Sequence, residues 1–462
     1  MSGTFMTTSS TTDSRAAGRP ALAAWALFDW AAQPFFTLVT TFVFAPYFAS
    51  ALAATPAEGQ ALWGYATAAA GLTIAFLAPV LGSIADATGH RKPWIFGFSI
   101  PFVLACWGLW YAAPDAPNGI LIALVAFAVG TLAIEFATVF NNAMMPDLVP
   151  PARIGRLSGA GWAVGYAGGL VSLVLALGFM AADPETGRTL LGFEPLFGLD
   201  PSMREGDRAA GPFSALWYLL FVLPLFLLVP DAPKKARLGP ATRQGIRSLA
   251  DNLRHARRNR QVFVFLLANM AYKDGLVALF AFGGIYAAGQ LGWGSVQIGT
   301  FGILLTITGT AGAILGGWMD DRFGPKLVLL AALSLLIICG IGLVSVDRDT
   351  ILFVLAVPPS EGGMFSSLPE QMFLVLGGLI GVAAGPLQSA SRSLLVRLAP
   401  KERMTQFFGL LALSGKVTSF LAPLTVGLVT ALTNSQAAGM SAILAFFIVG
   451  AVLLTRVRQP QI

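Results

Sequence analysis

The chain alternates between long apolar runs and short polar segments. Twelve of the runs are long enough to cross about 30 Å of hydrocarbon as helices. They cover residues 22–50, 61–85, 94–113, 119–145, 157–182, 213–229, 262–288, 296–319, 327–346, 372–391, 407–432 and 437–454. The pattern therefore predicts an all-α membrane protein with twelve transmembrane helices.

A basic segment divides these runs into two groups of six. Residues 231–260 carry nine Lys and Arg against two Asp, and the sequence on either side is mainly apolar. Such a segment between lipid-soluble stretches is typical of a cytoplasmic loop, and nucleic-acid binding is disfavoured. We expect a disordered cytoplasmic tail at 1–21, an N-terminal six-helix bundle at 22–230, the basic cytoplasmic linker at 231–260, and a C-terminal six-helix bundle at 261–462.

Composition and charge agree with a protein of the lipid bilayer. Of the 462 residues, 56% are hydrophobic and only 11% are charged, whereas soluble domains carry about a quarter charged residues. With the N-terminus inside, 23 of the 29 Lys and Arg residues fall on the cytoplasmic side and four in the outer loops. This asymmetry predicts that both termini are cytoplasmic. We expect the protein in a bacterial cytoplasmic (inner) membrane. Cys106 and Cys339 lie in separate apolar runs, so neither a disulfide nor a metal site is expected.

A short polar motif occurs once in each half. The first copy, between the second and third runs, contains Gly82, Asp86, Gly89, Arg91 and Lys92; the second, between the eighth and ninth runs, contains Gly317, Asp321, Arg322, Gly324 and Lys326. Two copies at matched places indicate duplicated halves, which is a transporter architecture. We expect both to be cytoplasmic gating loops, with carboxylates meeting helix ends or Arg and with the bases among lipid headgroups.

Five ionisable residues interrupt the apolar runs: Asp29, Glu135, Lys273, Asp274 and Lys416. A charge at the bilayer centre costs at least about 2.5–3.5 kcal/mol, so such groups normally face a cavity or a partner. Three acids and two bases nearly balance, which favours pairing within a polar cleft. Adjacent helical residues point about 100° apart, so Lys273 and Asp274 cannot face one spot. Lys416 is the candidate partner of Asp274.

Polar neighbours extend the faces that carry these charges. Gln33 is one turn from Asp29, Asn142 is two turns from Glu135, and Asn269 is one turn from Lys273. The tenth run adds Gln388. The predicted proton-coupling or substrate cavity therefore comprises Asp29, Gln33, Glu135, Asn142, Asn269, Lys273, Asp274, Gln388 and Lys416.

The paired loops resemble the signature of the major facilitator superfamily, with Ala87 where an Arg is usual and Pro325 where a base is usual. Within it, the chain resembles the vacuole-effluxer branch, related to autophagy-linked amino-acid effluxers of fungal vacuoles. The stretches that carry this resemblance are Phe28-Asp29-Trp30-Ala31, Met145-Pro146-Asp147, Tyr272-Lys273-Asp274-Gly275, Gly385-Pro386-Leu387-Gln388 and Phe407-Phe408-Gly409. The resemblance implies two six-helix bundles around a central cleft and transport of a solute, with amino acids as a candidate cargo.

These observations predict a secondary active transporter that moves a small polar metabolite by alternating access and couples to protons. A carboxylate in a low-dielectric site takes up a proton more readily than one in water, which makes Asp274 the first candidate carrier and Asp29 the second. A multidrug exporter and a cation-coupled sugar carrier stay open as alternatives, as does a non-transporting receptor or assembly factor.

An enzyme is not expected, because His90 and His255 both lie in polar loops, away from any clustered nucleophile. The predicted partners are a small-molecule substrate, protons or another coupling ion, and the lipid bilayer. We expect a monomer with no cofactor.

Overall fold

The computed structural model describes residues 17–88, 90–114, 116–149, 154–231, 259–358, 362–398, 410–411, 414–415 and 417–458. Several features predicted from the sequence fall outside these ranges: most of the N-terminal tail, nearly all of the basic linker, Gly89, the stretch Phe407-Phe408-Gly409 with much of the eleventh apolar run, and Lys416.

Helices account for most of the described chain. They are α1 Arg19–Leu52, α2 Pro56–Thr88, α3 Lys92–Gly108, α4 Gly119–Ala143, α5 Ile154–Phe179, α6 Ala210–Leu228, α7 Arg260–Leu291, α8 Ser295–Phe323, α9 Pro325–Val344, α10 Leu368–Leu398, α11 Leu421–Thr433 and α12 Gln436–Thr455. Short helices cover Met145–Leu148 and Glu205–Arg208, and strands β1 Thr350–Ile351 and β2 Leu355–Ala356 form a small antiparallel hairpin. Within the described residues, nine helices are long and apolar enough to cross a membrane. The predicted all-α architecture is confirmed.

The first helix is not regular along its length. Arg19–Pro34 is α-helical, but Phe35–Phe42 and Phe48–Leu52 are wound as π-helix. Pro46 lies between the two π segments and has no backbone N–H to donate, which removes one bond from the regular ladder. The hydroxyl of Thr41 donates to the carbonyl oxygen of Phe36, at 2.9 Å. π-helical turns in a long helix are frequently found at functional sites.

Helix packing repeats between the two halves. In the first six helices, α1 packs on α5 and α6, α4 packs on α2 and α3, and α3 packs on α6. In the last six, α7 packs on α11 and α12, α10 packs on α8 and α9, and α9 packs on α12. Adding six to each helix number converts the first set into the second. The predicted pair of six-helix pseudo-repeats is therefore confirmed.

Both ends of the described chain lie at the same end of the bundle. The backbone N–H of Arg458 donates to Gln261 Oε1 at 2.7 Å, and that of Ala17 donates to the carbonyl oxygen of Leu148 at 3.0 Å. Asp231, the first residue of the basic linker, bonds nearby to the start of α3. We call this end the linker face and the opposite end the far face.

The two halves are joined closely towards the far face. Gln60 of α2 donates its side-chain amide to the hydroxyl of Thr430 in α11 at 2.7 Å, and both residues are fully buried. The side-chain amide of Gln436 donates to the carbonyl oxygen of Pro56 at 3.0 Å. Further along the same pair, the backbones of Gly64 and Gly427 approach so closely that a Cβ at Gly64 would lie 3.0 Å from the Gly427 Cα. These contacts close the far face between α2 and α11.

Glycines also set the spacing of α8 and α10. A Cβ added at Gly312 would overlap the backbone of Val382, whereas a Cβ at Gly309, one turn away, would meet Gly381 O at an ordinary 3.5 Å. We expect Gly312→Ala to destabilise the protein by about 1–3 kcal/mol, because the two helices must separate. Gly309→Ala should leave stability unchanged or raise it by up to about 1 kcal/mol, because Ala loses less entropy in a helix.

Thermal and denaturant unfolding of the purified protein in detergent, followed by tryptophan fluorescence, measures this difference. An equal loss of stability in both variants would contradict the close packing of α8 against α10.

Candidate functional site

A stripe of polar side chains on α7 faces the residues that precede α11. Asn269 is buried and donates its side-chain amide to the Ser414 hydroxyl at 2.9 Å. One turn further, the ammonium group of Lys273 lies against Gly415, where a Cβ would sit 2.6 Å from Nζ. Because Gly415 has no side chain, the lysine can lie flat against this backbone.

Asp274 is the most deeply buried charge of the stripe, with 1% of its surface exposed. Its carboxyl group lies within electrostatic range of the Thr418 hydroxyl and of Lys273. The geometry with Thr418 falls short of a hydrogen bond. Within the described chain, neither Asp274 Oδ1 nor Thr418 Oγ1 has a hydrogen-bond partner. An ionised carboxylate here is therefore poorly compensated by the described residues.

The tenth helix meets α7 at the level of these charges. The Tyr272 hydroxyl lies 2.7 Å from Ser391 Oγ, and Ser391 donates in turn to the carbonyl oxygen of Leu387 at 2.6 Å. Tyr272 is therefore the donor to Ser391. Next to this bond, Lys273 and Arg392 lie within electrostatic range of each other. Two positive charges thus lie on the same level of the bundle, next to the contact of α7 with α10.

The N-terminal half places its own carboxylate against a row of glycines on α5. A Cβ at Gly161 would lie 2.6 Å from Asp29 Oδ2, and a Cβ at Gly169 would lie 2.9 Å from the Gln33 Cγ. Both polar side chains are half-buried between α1 and α5. Only glycines leave enough room for them at this distance.

One side chain of α5 reaches the opposite half. The hydroxyl of Tyr166 lies near the side chain of Gln388 on α10 and within electrostatic range of Arg392. Tyr166 follows Gly165, whose Cβ would lie 3.2 Å from the Asp29 Cβ. The polar groups of α1 and those of α10 are therefore separated by a single turn of α5.

The structure brings together some of the predicted cavity residues and separates others. Asn269, Lys273, Asp274 and Gln388 surround the contact of α7 with α10 and with the residues before α11, while Asp29 and Gln33 form the facing group in the first half. Glu135 is half-buried and Asn142 exposed on α4, a helix that packs mainly against α2 and α3. The pairing of Asp274 with Lys416 stays a prediction, because Lys416 lies outside the described residues.

Three polar residues of this region were not predicted from the sequence. Arg392 falls just beyond the apolar run that ends at residue 391, but α10 continues to Leu398 and carries it within the helix. Its spacing of four residues from Gln388 was the available signal, since residues i and i+4 share a helix face. Tyr166 and Thr418 carry no such signal, because isolated hydroxyls are common in membrane helices.

The first copy of the repeated motif connects four segments at the linker face. Gly82 and Asp86 lie in the last turns of α2, ahead of the loop. Asp231 accepts hydrogen bonds from the backbone N–H groups of Arg91 and Lys92 at 2.9 and 3.3 Å, and the Arg91 guanidinium pairs with Asp147. These bonds fix the start of α3 to the end of α6 and to the segment after α4.

The second copy of the motif also lies at the end of a helix on the linker face, but its contacts involve different residues. Gly317 and Asp321 lie in the last turns of α8, and Gly324 turns the chain with φ of +83°, a conformation that suits glycine. The guanidinium of Arg322 lies over the Trp318 ring, 5.4 Å from its centroid. The described ion pair at this helix end uses Asp320, whose carboxylate lies 3.5 Å from Arg397 of α10.

The last base of each copy caps the sixth helix of its half. Lys92 Nζ donates to the carbonyl oxygen of Phe226 at 2.9 Å, and Lys326 Nζ donates to those of Thr455 and Val457 at 3.1 and 2.7 Å. A cation is favourable at a helix C-terminus, where the unpaired carbonyls carry partial negative charge. These two ammonium groups therefore bind main chain, instead of lying among headgroups as the sequence suggested.

The family of the chain follows from sequence similarity over most of its length. The family model described as "Vacuole effluxer Atg22 like" matches residues 58–461. The chain belongs to this family. It is 24% identical over 439 residues to the MFS-type transporter YxiO of Bacillus subtilis (strain 168), with 94% of each chain covered. It is 26% identical over 238 residues to autophagy-related protein 22 of Kluyveromyces lactis, a match of 48% of this chain and 45% of that protein.

The fold of this Atg22-like chain is shared with solved transporters. The xylose transporter XylE from E. coli, solved in an inward open conformation, superposes with a TM-score of 0.61 over 96% of each chain, at 13% sequence identity. The predicted major facilitator fold is thereby confirmed. The chain is an integral membrane transporter and not an enzyme.

Two adjacent glycines of α7 provide a test of the far-face closure. A Cβ at Gly284 would overlap the carbonyl oxygen of Thr41 in α1, whereas a Cβ at Gly283 would meet nothing within 4 Å. We expect Gly284→Ala to force α1 and α7 apart and to open the far face more often, while Gly283→Ala has no effect. Overpacking of this kind costs about 1–3 kcal/mol, which corresponds to at least about a fivefold change in the open fraction.

The opening can be measured by labelling a cysteine placed at buried Ala61 with a membrane-impermeant maleimide, after Cys106 and Cys339 are replaced by Ser. Equal labelling rates in the two alanine variants would show that the α1–α7 contact does not hold the far face closed.

Proposed function

We propose that the chain is a proton-coupled carrier that moves a small polar metabolite across a bacterial cytoplasmic membrane by alternating access. The observation that most supports this proposal is the environment of Asp274. Its carboxyl group is buried near the middle of α7, beside a single adjacent lysine and a hydroxyl that is itself unpaired within the described residues. Amino acids are the first substrate candidates, because of the resemblance to fungal vacuole effluxers.

Protonation of Asp274 changes the charge balance of the whole site. With the carboxylate ionised, it offsets one of the two positive charges of Lys273 and Arg392, and with the carboxyl neutral, both remain. Such a change alters the attraction between α7 and its neighbours, and therefore the relative stability of the two conformations. Moving one charge through 100 mV contributes about 2.3 kcal/mol, enough to bias the transport direction.

The contacts between the halves suit a rocking motion. On the far face they are short polar bonds and glycine contacts, including Gln60 with Thr430 and α1 with Gly284. Nearer the middle, Tyr166 lies near Gln388 of the other half. Exchange of one set of contacts for another, around a site at mid-membrane, is the alternating-access mechanism of duplicated transporters. In this proposal the protein works as a monomer, with the linker face and both termini in the cytoplasm.

Asp29 is the second candidate for the proton carrier. It occupies in the first half a position comparable to that of Asp274, on the first helix and against the fifth helix or the residues that lead into it. It is half-buried, whereas Asp274 is nearly inaccessible, so its charge is better tolerated. We therefore assign proton transfer to Asp274 first.

We expect Asp274→Asn to abolish proton movement coupled to substrate, because the asparagine amide does not ionise near neutral pH and so cannot carry a proton between the two sides. Asp274→Glu should retain part of the activity. Proteoliposomes with an internal pH-sensitive dye, challenged with a mixture of amino acids, report coupled proton flux, and we expect a fall of at least about tenfold. Asp349→Asn, in the exposed far-face hairpin, is the matched control and should be unchanged. Wild-type proton flux in Asp274→Asn would rule out this carrier.

A further inference from the structure

We propose that Lys273 and Arg392 together bind the oxyanion group, a carboxylate or a phosphate, of the transported solute, and that Tyr166 closes this site from the other half. The inference rests on the proposed transport function and adds the chemical class of the ligand and the residues that recognise it. It does not require that protons drive the transport.

The two cations are held at one level by a hydrogen bond between their neighbours. Tyr272 and Ser391, joined at 2.7 Å, directly precede Lys273 and Arg392 in the sequence. Gly415 leaves space for the lysine ammonium, since any side chain there would collide with it. Like charges repel each other, so holding them together inside the membrane requires a compensating group.

The described residues supply only part of that compensation. Asp274 offers one negative charge beside Lys273, while the pair carries two positive charges. In the described part of the chain, Arg392 has neither an ion pair nor a hydrogen bond to an acidic side chain, in contrast to Arg397 on the same helix, which pairs with Asp320. One positive charge is therefore left for a ligand. A guanidinium presents parallel N–H groups that match the two oxygens of a carboxylate or phosphate.

The side chains of the site are partly accessible. Arg392 is exposed, Lys273 is half-buried, and Tyr166 keeps 44% of its surface exposed although it lies near Gln388 of the opposite half. Gln388 and Arg392 are four residues apart and share one face of α10. An anion on Arg392 is therefore within reach of the Tyr166 hydroxyl, which can donate a hydrogen bond to it. Binding of the anion would draw α5 towards α10 and so favour closure.

The depth of the site favours a solute over a lipid headgroup. Lys273 is thirteen residues beyond the start of α7 at Arg260, which places it about 20 Å along the helix from the linker-face end. The headgroup layer is only about 5–8 Å thick on each side of the hydrocarbon. A soluble anion that enters the cleft can reach this position.

Ligand-induced stabilisation of the purified protein tests the proposal. The probes are the proteinogenic amino acids, lactate and inorganic phosphate, added to protein in nanodiscs of neutral phosphatidylcholine, and each acid is paired with its amide where one exists. We expect at least one acid to raise the unfolding temperature in a dose-dependent way and its amide to have little effect. Arg392→Gln and Lys273→Gln should weaken this binding by about tenfold or more.

The conservative variants Arg392→Lys and Lys273→Arg should keep part of the affinity, which distinguishes charge recognition from loss of folding. Arg348→Gln, in an exposed loop of the far face, is the control and should bind as the wild type does.

Three results would overturn the proposal: no acid stabilises the protein, the amides bind as well as the acids, or both glutamine variants bind normally. Stabilisation by added phosphatidylglycerol, with no response to any soluble acid, would also contradict it, because the ligand would then be a lipid. Asp274→Asn distinguishes this proposal from the proton-coupling one. If the variant loses coupled proton flux but still binds the acid, both proposals are supported. Unchanged proton flux contradicts only the proton-coupling proposal, and failure of the wild-type protein to bind any acid contradicts only the anion-binding proposal.

Discussion

The attraction between Lys273 and Asp274 is the interaction on which the candidate site depends. They are neighbours on one helix, so their side chains diverge, and each needs a second partner from elsewhere in the bundle. The lysine lies against Gly415 and near Arg392, and the acid lies beside Thr418. Removing one charge of a buried pair leaves the other uncompensated, which usually costs more than the pair contributes. The geometry of α7, α10 and the residues before α11 is thus tied to the charge state of two side chains.

The duplicated halves use the same physical solutions with different residues. In both, the first helix carries a carboxylate that faces the fifth helix or the segment leading into it, and a lysine from the motif between the second and third helices binds the carbonyl end of the sixth. The partners differ, since glycines surround Asp29 whereas a hydroxyl and a lysine accompany Asp274. The first half therefore holds its charge in a close-packed groove, and the second half holds its charge within a polar network.

Helix positions were predictable because the bilayer imposes a length on each apolar run, and the repeated motif located both linker-face turns. The ends of the helices were harder to predict, because a helix can continue beyond its apolar run and include a long cationic side chain such as that of Arg392. Contacts across the bundle were not predictable either. Nothing in the local sequence indicates that Tyr166 meets Gln388, or that Thr418 lies beside Asp274, because those pairs depend on how distant helices pack. The embedded charges were visible in the sequence, but their surroundings were not.

The two π-helical segments of α1, Phe35–Phe42 and Phe48–Leu52, affect how this helix can move. A π turn contains about one residue more than an α turn. The position of this extra residue can shift along the helix while the helix stays continuous. Each step rotates the residues it passes by roughly 100° about the axis. Phe35–Phe42 itself contacts both neighbours, since Thr37 faces Gly169 of α5 and Thr41 faces Gly284 of α7, so a shift of the extra residue would turn these contact residues relative to α5 and α7. Part of the first helix can therefore rotate about the helix axis, whereas a regular α-helix moves as a rigid rod.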